Sequence, residues 1–163
     1  MVLSDAPSDP ALTDLLILQA INHFFAKVQQ QEHEEAAIPV LTLVHDLETR
    51  LWGPTKGLRA SESDEVLQSP FAGSNFSHIQ QLLQQTKNTT RSPLNVAWFL
   101  VLEKQSEQTS TAVIVNIEGG TVRSVRVAYP VASRYLSAAS VGSPSIDEMI
   151  EIANEEGGGV LQD

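Results

Sequence analysis

The residues best suited to acid–base chemistry in this chain are two histidines and one aspartate. His45 directly precedes Asp46, and a carboxylate can orient an imidazole, whose unperturbed pKa of about 6.5 suits proton transfer near neutrality. His23 lies between the apolar stripe and the polar face of a helical pattern, where it could point into a pocket. Structural interpretations are favoured over catalytic ones for both residues, because His45 could stabilise the carbonyl end of a helix and His23 could bond a carbonyl or water. His45, His23 and Asp46 are therefore the candidate catalytic residues.

Four more residues are candidates for binding a ligand. Trp52 and Trp98 could wall a cavity, although aromatic side chains in strands commonly pack in a core. Asn116 interrupts an apolar strand and could hydrogen-bond a ligand, solvent or a partner. Arg126 stays charged and could stabilise a developing oxyanion. Together with a histidine base, these residues predict proton transfer next to a carbonyl, with no cofactor and no metal, since no His stands at a metal-ligand spacing with Asp or Glu.

Composition narrows the class of protein. The 163 residues suit one domain, and 42% apolar against 18% charged residues predicts a folded chain. No cysteine is present, which excludes disulfides, thiol catalysis and cysteine-bound zinc. Twenty acidic and ten basic residues give a net charge of −10, which disfavours nucleic acid and anionic membranes as partners. Without a membrane-length apolar run or a secretory pattern, we expect a cytoplasmic or other intracellular location.

The first half of the chain is predicted to form helices, one short strand and a loop. Residues 1–8 look frayed, and Asp9-Pro10 is typical of a helix start, which predicts a helix over about 10–30. A second unit from Ile38-Pro39 fits a short helix turning at His45-Asp46 into a strand through Trp52. Residues 54–75 are expected to be mostly loop, after which Ser74 or Asn75 caps a helix with an apolar side.

Three strands are predicted in the second half: Asn95 to Glu103, Thr109 to Ile117 and Val122 to Val131. The Gly119-Gly120 turn makes the last two antiparallel. Residues 133–142 are expected to be linker, and a capping box at Ser145 and Glu148 predicts a short helix. The glycines at 157–159 end that helix, and the last residues are expected to be mobile. These patterns divide the chain into an α+β domain, 1–136, and a linker, short helix and tail, 137–163.

The order of these elements resembles the nuclear-transport-factor-two-like superfamily, which includes polyketide-cyclase-like proteins and ketosteroid isomerase. Three segments carry the resemblance: VLTLVHDLETRLWGP, SPFAGSNFSHIQQLL and VNIEGGTVRSVRVAYP. It implies an α+β fold in which a curved antiparallel sheet of four or more strands packs on N-terminal helices as a cone-like α+β barrel. It also implies a domain that binds an apolar small molecule in a conical pocket, or a cofactor-free isomerase, lyase or cyclase.

The chain departs from the isomerases of that superfamily at their catalytic positions. Their base carboxylate lies near the end of the first strand, where this chain has Arg50, Leu51 and Trp52, and the stretch matching their second acid, 111–115, holds no carboxylate. Their first-helix tyrosine corresponds to the region of His23. This departure favours the alternative of a non-catalytic adaptor that forms a homodimer or heterodimer through its sheet. If both sheet faces are apolar, the outer face must be covered by another chain or by the C-terminal segment.

Overall fold

The computed structural model describes residues 2–3, 43–44, 47–48, 69–103 and 105–162. Five strands lie in this part of the chain: β1 (Val2–Leu3), β2 (Trp98–Leu102), β3 (Thr111–Glu118), β4 (Thr121–Ala128) and β5 (Val160–Leu161). The helices there are α1 (Phe76–Thr90), the single turn α2 (Ser106–Thr109), α3 (Tyr129–Ser140) and α4 (Ile146–Glu156). The helix predicted over 10–30 and residues 49–52 of the predicted strand lie outside the described residues. The structure shows neither helix at Leu43 and Val44 nor strand at Leu47 and Glu48, which corrects those parts of the second predicted unit.

The centre of the sheet is an antiparallel meander, as predicted. Strand β3 pairs with β2 on one side and with β4 on the other, both antiparallel. Gly119 and Gly120 connect β3 to β4 with φ of 56° and 82°. Positive φ at both central residues is the type I′ geometry, whose twist matches that of the flanking strands. Asn75 caps α1, as expected, by accepting a hydrogen bond from the backbone N–H of His78.

The edges of the sheet correct the prediction of a wholly antiparallel sheet. The strand order is β1-β2-β3-β4-β5, and both outer strands run parallel to their neighbours. The sheet is therefore mixed, and the described strands form an open row rather than a closed barrel. Val2 and Leu3, expected to be frayed, pair with Val101 and Leu102. The α+β class and the presence of four or more strands are confirmed.

Both faces of the sheet are apolar and each is covered by helix. The face we call the α1 face carries strand residues that pack with Ile79 and Leu83 of α1: Phe99, Val101, Val113, Val115 and Ile117. The opposite face, the α3–α4 face, carries strand residues that pack with Val131 of α3 and with Met149 and Ala153 of α4: Leu100, Leu102, Ala112, Ile114, Val125 and Val127. The sequence left open whether another chain or the C-terminal segment covers the outer face of the sheet. In the structure, the C-terminal segment covers the α3–α4 face. The argument for a dimer through an uncovered sheet face thereby loses its premise, and the dimer itself stays a prediction.

The C-terminal residues are built into the fold, which corrects two expectations. Residues 133–142, expected to be linker, belong mostly to α3, with Pro130 in its first turn, where proline fits because its missing N–H has no helical partner. The tail expected to be mobile forms β5, and the side chain of Leu161 is fully buried against the α3–α4 face. The predicted capping box is confirmed, since Ser145 and Glu148 exchange both hydrogen bonds at the start of α4.

A tight turn at Gly157 links α4 to β5. A Cβ atom at Gly157 would lie 1.7 Å from the carbonyl oxygen of Val160. Only glycine leaves room for that carbonyl, because real Cβ contacts never approach so closely. The turn therefore brings the chain back from the α3–α4 face to pair with β4.

Candidate functional site

Two of the predicted ligand-binding residues are neighbours in the sheet. Trp98 and Asn116 are cross-strand partners between β2 and β3, so their side chains share the α3–α4 face. Trp98 packs against the apolar cluster of that face. Asn116 is buried and donates a hydrogen bond from Nδ2 to the carbonyl of Ala97 at 3.4 Å. The amide of Asn116 is thus satisfied by the backbone next to its own sheet position.

Arg126 points to the other side of the sheet. Its register partner is Val113, a residue of the α1 face. The guanidinium donates from Nη2 to Oε2 of Glu103 at 2.6 Å and from Nη1 to Oγ1 of Thr111 at 3.1 Å. The side chains of Arg126 and Glu103 are only 25% and 24% exposed, so this ion pair is partly shielded from water. Arg126 therefore cannot line one pocket with Trp98 and Asn116, and its charge is matched by Glu103.

The candidate catalytic residues His45, His23 and Asp46, together with Trp52, lie outside the described residues. The acid–base hypothesis that depends on them therefore stays a prediction. Within the described ranges, no group of three or more His, Cys, Asp or Glu side chains is placed to hold a metal ion. No described helix is long and apolar enough to cross a bilayer.

The most distinctive surface of the described chain is one that the sequence did not reveal: the first half of β4. Strand β5 pairs with β4 only at Arg126 and Val127. Over 69–103 and 105–162, no strand lies beside Thr121–Ser124 on the side away from β3. All four of these residues are exposed. We call Thr121–Ser124 the open edge.

Hairpin geometry fixes which backbone groups of the open edge point outward. Across a two-residue turn, the flanking residues Glu118 and Thr121 form a hydrogen-bonded pair. Hydrogen-bonded and non-hydrogen-bonded pairs then alternate along an antiparallel ladder. Thr121, Arg123 and Val125 consequently bond to β3, whereas Val122 and Ser124 each direct an N–H and a C=O away from it. This row of donors and acceptors is the pattern that a further strand would bind.

The side chains of the open edge differ between the two faces. On the α1 face, Val122 is 39% exposed and is one of two large apolar side chains exposed among the described residues. On the α3–α4 face, Arg123 forms an ion pair of 2.8 Å with Asp147 at the start of α4. Ser124 is exposed beside Val122 on the α1 face. The open edge thus has an apolar side and a charged side.

The charged side is dominated by carboxylates. Helix α4 packs against β4 and β5, at the margin of the sheet that carries the open edge. Its exposed acids form what we call the α4 acidic row: Asp147, Glu148, Glu151 and Glu155. No lysine or arginine occurs in α4. Hydrogen bonds from the backbone and hydroxyl of Ser145 lower the pKa of Glu148, so this carboxylate is ionised at neutral pH.

The other margin of the sheet lacks these properties. No residue of β2 is exposed, and Phe99, Leu100, Val101 and Leu102 are all buried. Leu43 and Val44 are also buried, and they join the apolar clusters of opposite faces. An added strand could reach the exposed backbone of β4 at the open edge. At the other margin, the residues of β2 are covered, so an added strand would find no comparable exposed surface there.

Comparison of the chain with protein-family models, with curated proteins and with solved structures gives no match. The resemblance to the nuclear-transport-factor-two-like superfamily therefore stays a prediction, and the surface of the described residues carries the functional argument.

Proposed function

We propose that this chain is a non-catalytic protein-interaction module that binds an extended segment of another protein along the open edge of β4. The single observation that carries the proposal is the pairing of β4. Among the described residues, β4 has a neighbouring strand on both sides at Arg126 and Val127 but only on the β3 side at Thr121–Ser124. Unpaired backbone groups at an exposed sheet edge are a template for another strand. Peptide binding by strand addition uses such an edge, with main-chain hydrogen bonds giving affinity and alternate side chains giving specificity.

The covering of both faces supports the edge as the contact surface. An adaptor that binds through a sheet face needs that face free, but α1 packs on one face and α3 and α4 pack on the other. The adaptor alternative is therefore proposed here in an altered form, in which the edge rather than the face makes the contact. The conical pocket for an apolar small molecule depends on His23, His45 and Trp52, which lie outside the described residues.

Proline substitutions offer a direct test of the open edge. Ser124→Pro removes an N–H that points away from β3, and proline is tolerated at sheet edges when its N–H would face solvent. Val125→Pro removes an N–H that bonds to β3, so it serves as a matched control that damages the fold. We expect Ser124→Pro to keep the cooperative thermal unfolding of the parent chain. Val125→Pro should lower the free energy of unfolding by about 1–3 kcal/mol, because it removes a ladder hydrogen bond and leaves a buried carbonyl of β3 without its donor.

The binding readout uses peptides selected from a random display library on the parent chain. We expect selected peptides to lose at least about tenfold in affinity for Ser124→Pro, because the outward hydrogen bonds of the edge are lost. Gln85→Ala, on the exposed surface of α1, should leave their affinity unchanged. Peptides that bind the parent chain and Ser124→Pro equally well would overturn the proposal, as would a selection that yields no binder.

A further inference from the structure

We infer that the segment that occupies the open edge alternates basic and apolar residues, with its Lys or Arg side chains turned toward the α4 acidic row. This inference rests on the proposed function and adds the chemistry of the partner. It follows from the different charge of the two sides of the open edge.

Strand addition fixes where the side chains of the bound segment point. Successive side chains of a strand lie on opposite faces of a sheet, so a segment beside β4 places every second residue over the α3–α4 face. The intervening residues lie over the α1 face, next to Val122 and Ser124. A contact with the exposed Val122 favours apolar residues at those positions.

On the α3–α4 face, acidic groups outnumber basic ones. Four carboxylates of the α4 acidic row stand against two guanidiniums: Arg123, which already pairs with Asp147, and Arg134 of α3, which lies over the ring of Tyr135. Glu118 adds another exposed carboxylate on this face, since it is the register partner of Thr121. The Lys or Arg side chains of a bound segment would therefore be attracted, and Asp or Glu would be repelled.

The same charges argue against a second copy of this chain as the occupant. Two β4 strands could pair antiparallel about a two-fold axis perpendicular to the sheet, which keeps equivalent faces on the same side. Both α4 acidic rows would then lie on one face, at the margin where the two sheets join. Like charges brought together in this way oppose association. The negative charge of the α4 acidic row therefore attracts a basic partner and repels a second copy of this chain.

The test uses three synthetic peptides of seven residues and the full chain. The first alternates Lys and Val, the second replaces each Lys with Glu, and the third has the composition of the first in two blocks, four Lys followed by three Val. Affinity is measured by fluorescence anisotropy at low and at moderate ionic strength. The block peptide controls for nonspecific attraction between a basic peptide and an acidic protein.

We expect the alternating Lys–Val peptide to bind at least about tenfold more tightly than the Glu–Val and block peptides. Glu151→Gln and Glu155→Gln together should weaken it several-fold, and added salt should reduce that difference because it screens exposed charges. Ser124→Pro should abolish the preference for the alternating peptide over the block peptide. Gln84→Glu, which adds a carboxylate on the exposed surface of α1, is the control. It should leave the affinity unchanged, because the carboxylates that attract the peptide are those of α4.

The outcomes separate the inference from the proposed function. If the Lys–Val and Glu–Val peptides bind equally well and both are lost in Ser124→Pro, the edge binds strands but the partner chemistry inferred here is wrong. If the basic peptides bind irrespective of alternation and of Ser124→Pro, both the inference and the edge mechanism fail. If the parent chain is a dimer in sedimentation velocity and Ser124→Pro is a monomer, the occupant is a second copy, and the inference is overturned.

Discussion

The two halves of β4 have the same neighbour on one side and different neighbours on the other. Val125 and Val127, in the second half, are buried, and β5 extends the sheet beside Arg126 and Val127. Thr121–Ser124, in the first half, are exposed and have no described strand beyond them. The same strand is therefore paired on both sides at one end, whereas at the other end its outward backbone groups have no partner strand among the described residues. The two halves differ because the two-residue strand β5 covers only the second half. Weakening the contact of β5 is therefore the strongest test of this difference.

Leu161→Ala should have the largest effect on stability. The side chain is fully buried among residues of the α3–α4 face, so its truncation removes apolar contact and leaves a cavity. We expect the free energy of unfolding to fall by about 2–5 kcal/mol, measured by urea denaturation followed by circular dichroism. Gln162→Ala, at an exposed neighbouring position, should change it by less than about 0.5 kcal/mol. Equal effects of the two substitutions would show that β5 is not docked.

Gly157→Ala should rank next, because it blocks the turn that delivers β5. The new Cβ would lie 1.7 Å from the carbonyl oxygen of Val160, so the backbone must shift, at a cost of about 1–3 kcal/mol. Gly158→Ala is the control: its Cβ meets open space, but its φ of +60° makes alanine strained. We expect faster hydrogen exchange over residues 157–163 in Gly157→Ala than in Gly158→Ala. The reverse order would contradict a turn that is closed by contact with Val160.

The smallest effect on stability should come from the titration of the Glu148 carboxyl. Hydrogen bonds from Ser145 lower the pKa of this carboxyl in the folded chain below its usual value of 4.5. A lowered folded-state pKa stabilises the chain above the unfolded-state pKa, and that contribution is lost as the pH falls through the folded-state pKa. Glu148→Gln keeps a capping side chain without the titration. The difference in melting temperature between the parent chain and Glu148→Gln should therefore shrink from neutral pH to about pH 3. A difference independent of pH would contradict the assignment.

Local signals account for the parts of the fold that the sequence predicted. The Gly119-Gly120 turn, the cap at Asn75 and the capping box at Ser145 each depend on residues a few positions apart, and each is confirmed. Helix α3 is not predicted, because the strand expected over Val122 to Val131 includes Pro130, which fits the first turn of a helix and begins α3 in the structure. Strands β1 and β5 have two residues each, too few to show any periodicity. These two strands form because they pair with residues distant in the sequence, β1 with β2 and β5 with β4.

The open edge could not be predicted for the same reason. Whether Thr121–Ser124 has a neighbour depends on how far β5 extends along β4, and that is a contact between residues more than thirty positions apart. The only local signal is the change within β4 from the polar Thr121, Arg123 and Ser124 to the alternation that buries Val125 and Val127. Two of the predicted ligand-binding residues do not meet, for a different reason. Asn116 pairs with Arg123, and Arg126 lies an odd number of residues further along β4, so the two side chains occupy opposite faces. A shift of the register by one residue would place them on the same face, and the sequence pattern alone does not fix the register.

The central claim is tested most directly by amide chemical shifts during titration of the isotope-labelled chain with a library-selected peptide. The account predicts that the amides of Val122 and Ser124 shift most and become protected from hydrogen exchange, because their outward N–H groups gain partners. In Ser124→Pro, the same peptide should produce no comparable shift at Val122. Shifts concentrated on α1, or an unchanged response in Ser124→Pro, would contradict binding at the open edge.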